Sequence, residues 1–206
     1  MGLLLSNGPK DARLTLVLAH GAGAGMDTPF MDSIAEGLAA KGFRVVRFEF
    51  PYMQKAREAG KKRPPNSASI LEEHFLSVLA SQSGETVIGG KSMGGRIASV
   101  ILERSSAKGC ICLGYPFHPP GKPNSLRIQH LQIPTKPILI LQGERDPFGK
   151  KEEVEGYSLH SSIQIGWIPD GEHSFKTRKK SAYKWEENLS HAVDQMDAFL
   201  TRLSAT

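Results

Sequence analysis

Short apolar runs alternate with stretches of helical period along almost the whole chain, the pattern of βαβ units feeding a mainly parallel sheet. Residues 14–19 (LTLVLA) form the first run, and a glycine-rich turn, His20-Gly21-Ala22-Gly23-Ala24-Gly25, leads to a predicted helix over 29–40 that opens on Pro29 and stops before Gly42. A second strand is predicted over 43–50, ending at Pro51, which has no N–H to give to a ladder. The spacing of Ile70, Phe75, Val78 and Leu79 predicts a helix over 69–81, after which Gly84 breaks the pattern and 86–90 reads as a short strand. A helix over 97–104 and strands over 109–114, 137–142 and 163–168 follow. The C-terminal stretch 183–203 sets Trp185, Leu189, Val193, Met196 and Leu200 close to one helical face and should close the sheet. No repeat interrupts this order, so residues 1–206 read as one α/β domain, too short to carry a large cap domain as well.

Residues 52–66 break the rhythm: Lys, Arg, Gly and Pro crowd the segment, which reads as a surface loop in preference to an element covering a site. Composition adds little beyond an ordinary globular class, with 39% hydrophobic and 23% charged residues. The net charge of +5 comes from 26 Lys and Arg against 21 Asp and Glu. The basic runs Lys61-Lys62-Arg63 and Arg178-Lys179-Lys180 are short and carry no interleaved aromatics, so they read as solvated loop charge and nucleic acid is not an expected partner. Leu3-Leu4-Leu5 is too short for the apolar region of a signal peptide and no window reaches membrane-spanning length, so no membrane partner is expected and the protein is expected to be cytoplasmic. Cys110 and Cys112 read as small core residues pointing to opposite faces of a strand, with no mutual disulfide, which is compatible with a reducing compartment. Oligomeric state is not legible.

Chemistry enters at Gly90-Lys91-Ser92-Met93-Gly94-Gly95, a G-x-S-x-G between a predicted strand and a predicted helix. A serine at such a turn is held in strained backbone, and Gly90 and Gly94 let neighbouring chains approach so that Oγ faces outward. The following helix directs its N-terminal N–H groups at the place where an oxyanion would develop, which makes the Met93 N–H the first donor. A serine hydroxyl needs a base, and the base needs a carboxylate to hold its tautomer. Of seven histidines, His173 follows the last strand, in Pro169-Asp170-Gly171-Glu172-His173-Ser174-Phe175, where a loop reaches the carboxyl edge of the sheet. His20 is assigned a supporting part in its turn, His74 and His191 surface or packing parts, and His118 a possible place in the pocket wall; His130 and His160 carry no signal. For the acid, Asp146 before Pro147 is preferred to Glu144, because it lies further past the turn that ends the strand.

At these residues the chain resembles the α/β-hydrolase superfamily, and more narrowly a dienelactone-hydrolase-like group of predicted hydrolases that includes the hydrolase-like domain of a vertebrate chromatin-complex subunit. Four blocks carry the resemblance in order: His20-Gly21-Ala22-Gly23-Ala24 with Met26-Asp27, Gly90-Lys91-Ser92-Met93-Gly94-Gly95-Arg96, Gln142-Gly143-Glu144-Arg145-Asp146-Pro147-Phe148-Gly149, and Asp170-Gly171-Glu172-His173-Ser174-Phe175. It implies a doubly wound, mostly parallel sheet flanked by helices, a Ser92–His173–Asp146 triad, and a second oxyanion donor at the Ala22 N–H, with Gly23 as the alternative. It implies cleavage of a small ester or related acyl bond through an acyl-enzyme, with neither metal nor organic cofactor. Dienelactone hydrolases proper carry cysteine as nucleophile, so their cyclic substrate does not transfer to a chain with Ser92.

Lys91 and Arg96 flank the nucleophile position. They read either as an anion-seeking mouth for a carboxylate- or phosphate-bearing ester or, more simply and by preference, as members of structural ion pairs. The expected partner is therefore a small acyl compound, with its charge left open. A non-catalytic binding or scaffold module on the same fold, and an acyltransferase or peptidase using the same triad, are the alternative functions.

Overall fold

Runs of Val, Ile and Leu bounded by glycine and proline become the strands of one seven-stranded sheet in the computed structural model, which describes residues 2–205. The strands are β1 (Leu4–Asn7), β2 (Leu14–Ala19), β3 (Arg44–Phe48), β4 (Glu85–Lys91), β5 (Cys110–Leu113), β6 (Ile138–Gly143) and β7 (Ile163–Ile168). Their order across the sheet is β1-β3-β2-β4-β5-β6-β7; only β1 runs antiparallel, beside β3. The helices are α1 (Pro29–Ala40), α2 (Pro51–Ala59), α3 (Ala68–Ala80), α4 (Met93–Ile101), the single turn α5 (Lys151–Val154) and α6 (Trp185–Ser204).

Alternation along each strand sorts the core into two layers. Leu14, Leu16, Leu18, Ile111, Leu113, Leu139 and Leu141 pack under α1 and α6, while Val17, Ala19, Ile88, Cys110, Cys112, Ile138 and Ile140 pack under α3 and α4. Thr28 caps α1, its side chain accepting from the Met31 N–H, and Pro29 at the first position loses no bond the helix needs. The fold is thus doubly wound. Its strand order reverses between β2 and β4, so the loops after them open a crevice at the carboxyl edge of the sheet, where an α/β fold places its ligand site.

Three expectations need correction. Residues 51–59 form α2, not a loop: Pro51 starts the helix and Gly60, at φ 60°, ends it. Tyr52 is its only buried residue, so no apolar period marked it; Arg57, ion-paired with Glu49 and Asp27, ties it down instead. Cys110 and Cys112 share one face, as residues two apart on a strand must, and their sulfurs lie 3.8 Å apart as free thiols in the same core layer. The helix expected from 97 starts at Met93, directly after the β4 turn, and ends in a short 3₁₀ turn, Leu102–Arg104. No helix among the described residues is long and apolar enough to cross a membrane.

Candidate active site

Ser92 stands between β4 and α4 with φ 52° and ψ −115°, a left-handed backbone unfavourable for a residue with a Cβ. Close approach of neighbouring chains imposes that turn. A Cβ on Gly94 would lie 2.5 Å from the His20 carbonyl oxygen, and one on Gly90 2.5 Å from the Gly94 carbonyl carbon, so α4 can meet the end of β2 only through glycines.

Three loops bring the predicted side chains together. The Ser92 Oγ lies 2.8 Å from His173 Nε2, and His173 Nδ1 lies 2.8 Å from Asp146 Oδ2. Asp146 is fully buried, and with Nδ1–H donating to its Oδ2, Nε2 is left to accept from the serine hydroxyl. A local bond orients the carboxyl: Asp146 Oδ1 accepts from the Phe148 N–H at 2.9 Å, which turns Oδ2 toward His173. Glu144 is not in this series. It accepts from the Asp170 N–H and from Lys151 Nζ, and it thereby braces the loop that carries His173. Asp170, at φ 49°, anchors the same loop through ion pairs with Arg145 and Arg178; burial opposes its ionisation, but the Arg178 bonds and the Arg145 charge hold its carboxyl below the usual range.

The glycine-rich turn after β2 is clamped from behind. His20, fully buried, accepts the Phe50 N–H at Nε2 (3.1 Å), so its Nδ1–H donates to the Gly21 carbonyl (2.6 Å); burial holds its pKa below the usual histidine value despite that bond. The Tyr52 hydroxyl reaches the Ala22 and Gly21 carbonyls at 2.9 and 3.3 Å. Because a trans peptide's N–H points opposite its carbonyl, the Ala22 and Gly23 N–H groups are turned away from Tyr52. Met93, as the first residue of α4, has an N–H with no acceptor inside the helix.

Two hollows flank Ser92 and share Ala22 and Phe148. The larger, about 440 Å³, is lined by Gly21, Phe30, Lys91, His173, Ser174 and Trp185 among others; the smaller, about 300 Å³, by Met93, Arg96, Pro116 and Arg127. Among the described residues, neither Lys91 nor Arg96 forms an ion pair, which corrects the structural-pair reading of both. Lys91 is 9% exposed, its Nζ 5.7 Å from the centre of the Phe30 ring, and burial lowers its pKa to about 8 against the opposing pull of Asp146 and Glu172. His118 does not line either hollow; it is buried, with Nδ1 on the Pro119 carbonyl. His74 packs on Phe48 and Phe50, His191 pairs with Gln195 on α6, and His130 meets the Ser99 hydroxyl at 2.9 Å.

Residues 12–201 match the model of an alpha/beta hydrolase domain. The chain belongs to the alpha/beta hydrolase family. Solved structures of the same fold include an alpha-beta serine hydrolase homologue from Coxiella burnetii (19% identity, TM-score 0.72, covering 96% of this chain and 90% of that one). Others are an α/β serine hydrolase without lid from Xanthomonas campestris (18%, TM-score 0.69, 94% and 88%) and a dienelactone hydrolase from Anabaena variabilis (18%, TM-score 0.68, 97% and 91%). In fold the chain is similar to dienelactone-hydrolase-like serine hydrolases, the group its four blocks resemble, and among the described residues no large cap lies over the sheet edge.

Sequence reasoning missed three parts of this alpha/beta hydrolase's site. Phe148 lies against the His173 ring with centroids 4.3 Å apart, and its place two residues after Asp146 was the available signal. Gln142 is fully buried and bonds the Tyr115 N–H, the Tyr115 carbonyl and the Gly149 carbonyl, tying the turn after β5 to the loop that carries Asp146. Tyr52 lay inside the segment read as a loop.

Proposed function

We propose that the protein is a serine hydrolase that cleaves a small ester or related acyl bond. The observation that carries the reading is the unbroken hydrogen-bonded series Ser92–His173–Asp146, with both links at 2.8 Å, opening on a half-buried cleft. Ser92 Oγ attacks the acyl carbon as His173 Nε2 takes its proton, and Asp146 holds the imidazolium that results. The carbonyl oxygen, now anionic, lies against the Met93 N–H at the N-terminus of α4 and the Ala22 N–H of the clamped turn, with Gly23 the neighbouring donor. His173 then protonates the leaving oxygen; water, deprotonated by the same imidazole, attacks the acyl-enzyme and releases the acid. None of these steps calls on a metal or organic cofactor.

The test is turnover of short-chain esters by the wild-type chain beside Ser92→Ala and His173→Ala. The reading requires measurable kcat/KM in the wild type and a loss of about three orders of magnitude or more in each folded variant. Equal turnover by either variant would remove that residue from the mechanism.

A further inference from the structure

The smaller hollow beside Ser92 holds two cations and no anion. Arg96 extends from the first turn of α4 and Arg127 from the loop after β5, and among the described residues no carboxylate is ion-paired with either. Arg96 Nε is buried with no hydrogen-bond partner. Arg127 is pinned through its backbone, its N–H donating to the Phe117 carbonyl at 2.8 Å and its own carbonyl accepting from the Tyr115 hydroxyl at 2.8 Å, so its guanidinium has a fixed base. Burial and the Arg96 charge both push the Arg127 pKa down, and the same two causes hold His130 at about 4, so that imidazole adds no third positive charge. Two half-buried guanidiniums that repel each other are costly to keep unless an anion arrives between them. Guanidinium presents a planar fork that matches a carboxylate in two-point bonding.

The position of His173 decides which part of a substrate enters this hollow. His173 must protonate the leaving oxygen, and it lines the larger hollow and not the smaller. The leaving group therefore lies in the larger hollow, and the acyl chain falls toward Met93, Arg96 and Arg127.

We propose that Arg96 and Arg127 form an acyl-side carboxylate subsite, so that the preferred substrate is a half-ester of a short dicarboxylic acid. The inference rests on the serine-hydrolase reading. In the reaction, the Ser92 Oγ–acyl carbon bond forms and the ester C–O bond breaks. The hydroxyl proton passes through His173 to the leaving alkoxide, and water then cleaves the acyl-serine to release the dicarboxylate.

The experiment has two arms. In the first, kcat/KM is measured for monomethyl glutarate and for methyl pentanoate, a neutral ester of the same length. The wild type should prefer the anionic ester, and Arg127→Gln should lower the anionic-to-neutral ratio by about tenfold or more, chiefly through KM, with Arg127→Lys recovering part of it. Arg96→Gln should behave likewise where it folds. A wild-type ratio at or below one, or a ratio unchanged in Arg127→Gln, overturns the subsite. In the second arm, glutarate binding to Ser92→Ala is followed by calorimetry, with Ser92→Ala/Arg127→Gln as the comparison; binding weakened about tenfold by the second substitution is expected. Absent or Arg127-independent glutarate binding overturns the subsite whatever the turnover. Binding without turnover of either ester by the wild type keeps the subsite and rejects the hydrolase reading.

Discussion

Lys91 precedes Ser92, and among the described residues no direct partner neutralises its charge. Its ammonium sits with His173 over Gly114, where a Cβ would lie 3.0 Å from Nζ and 2.8 Å from the His173 carbonyl oxygen. Burial lowers its pKa from 10.5 to about 8. Since the unfolded chain then binds the proton more tightly than the folded one, the folded protein bears the full penalty below pH 8 and is relieved of it as pH rises toward 10.5. Lys91→Met should therefore be more stable than wild type at pH 7, by up to about 3 kcal/mol, with the gap closing as pH rises. Urea unfolding of both proteins at pH 7, 8, 9 and 10 reads this, and a gap independent of pH would show that Lys91 remains charged throughout. Asp146 makes a different demand. Asp146→Asn keeps the size of the side chain but cannot enforce the Nδ1–H tautomer, so kcat should fall by about 10⁴ with the fold retained by circular dichroism; a loss under tenfold would mean that another group orients His173.

At the scale of elements, the elbow and the turn after β2 are packed against each other through atoms that leave no slack. Gly94→Ala would place a methyl 2.6 Å or less from the Ala19 and His20 carbonyl oxygens, both backbone atoms. The substitution should cost about 3 kcal/mol or more, visible as a large drop in Tm or loss of folded protein, whereas an unchanged Tm would mean that β2 and α4 can separate. Tyr52→Phe keeps the buried ring and removes only the hydroxyl that holds the Gly21 and Ala22 carbonyls. Stability should fall by about 1 kcal/mol, and kcat should drop more than KM changes if the Ala22 N–H serves the oxyanion as proposed. Unaltered kcat would detach Tyr52 from the turn's function. These elements also show where the sequence was readable. That Ser92, Asp146 and His173 would meet was legible because each follows a strand whose apolar run announces it and stands in a short motif with a steric reason behind it. The helix α2 was not, since its stability comes from Pro51, Gly60 and the Arg57 ion pairs rather than from an apolar face. Nor was the unpaired state of Lys91 and Arg96, because the absence of a partner is a property of the assembled surroundings.

For the whole molecule, the sheet order brings the loops after β2, β4, β6 and β7 to one edge, and among the described residues no long insertion covers it. Hollows of about 440 and 300 Å³ suit small substrates. Rates on neutral esters should peak at short acyl chains, fall by about tenfold or more between butyrate and dodecanoate esters, and follow ordinary saturation with no jump at the substrate's solubility limit. A maximum at the long chains would require a deeper acyl channel than the one lined by Met93, Pro116 and Arg127. The proposed chemistry requires an activated Ser92, and intact-protein mass spectrometry after reaction with a fluorophosphonate tests that without any choice of substrate. One adduct per wild-type chain is expected, and none on folded Ser92→Ala or His173→Ala; a folded wild-type protein that forms no adduct, or a Ser92→Ala protein that still forms one, would contradict an activated Ser92.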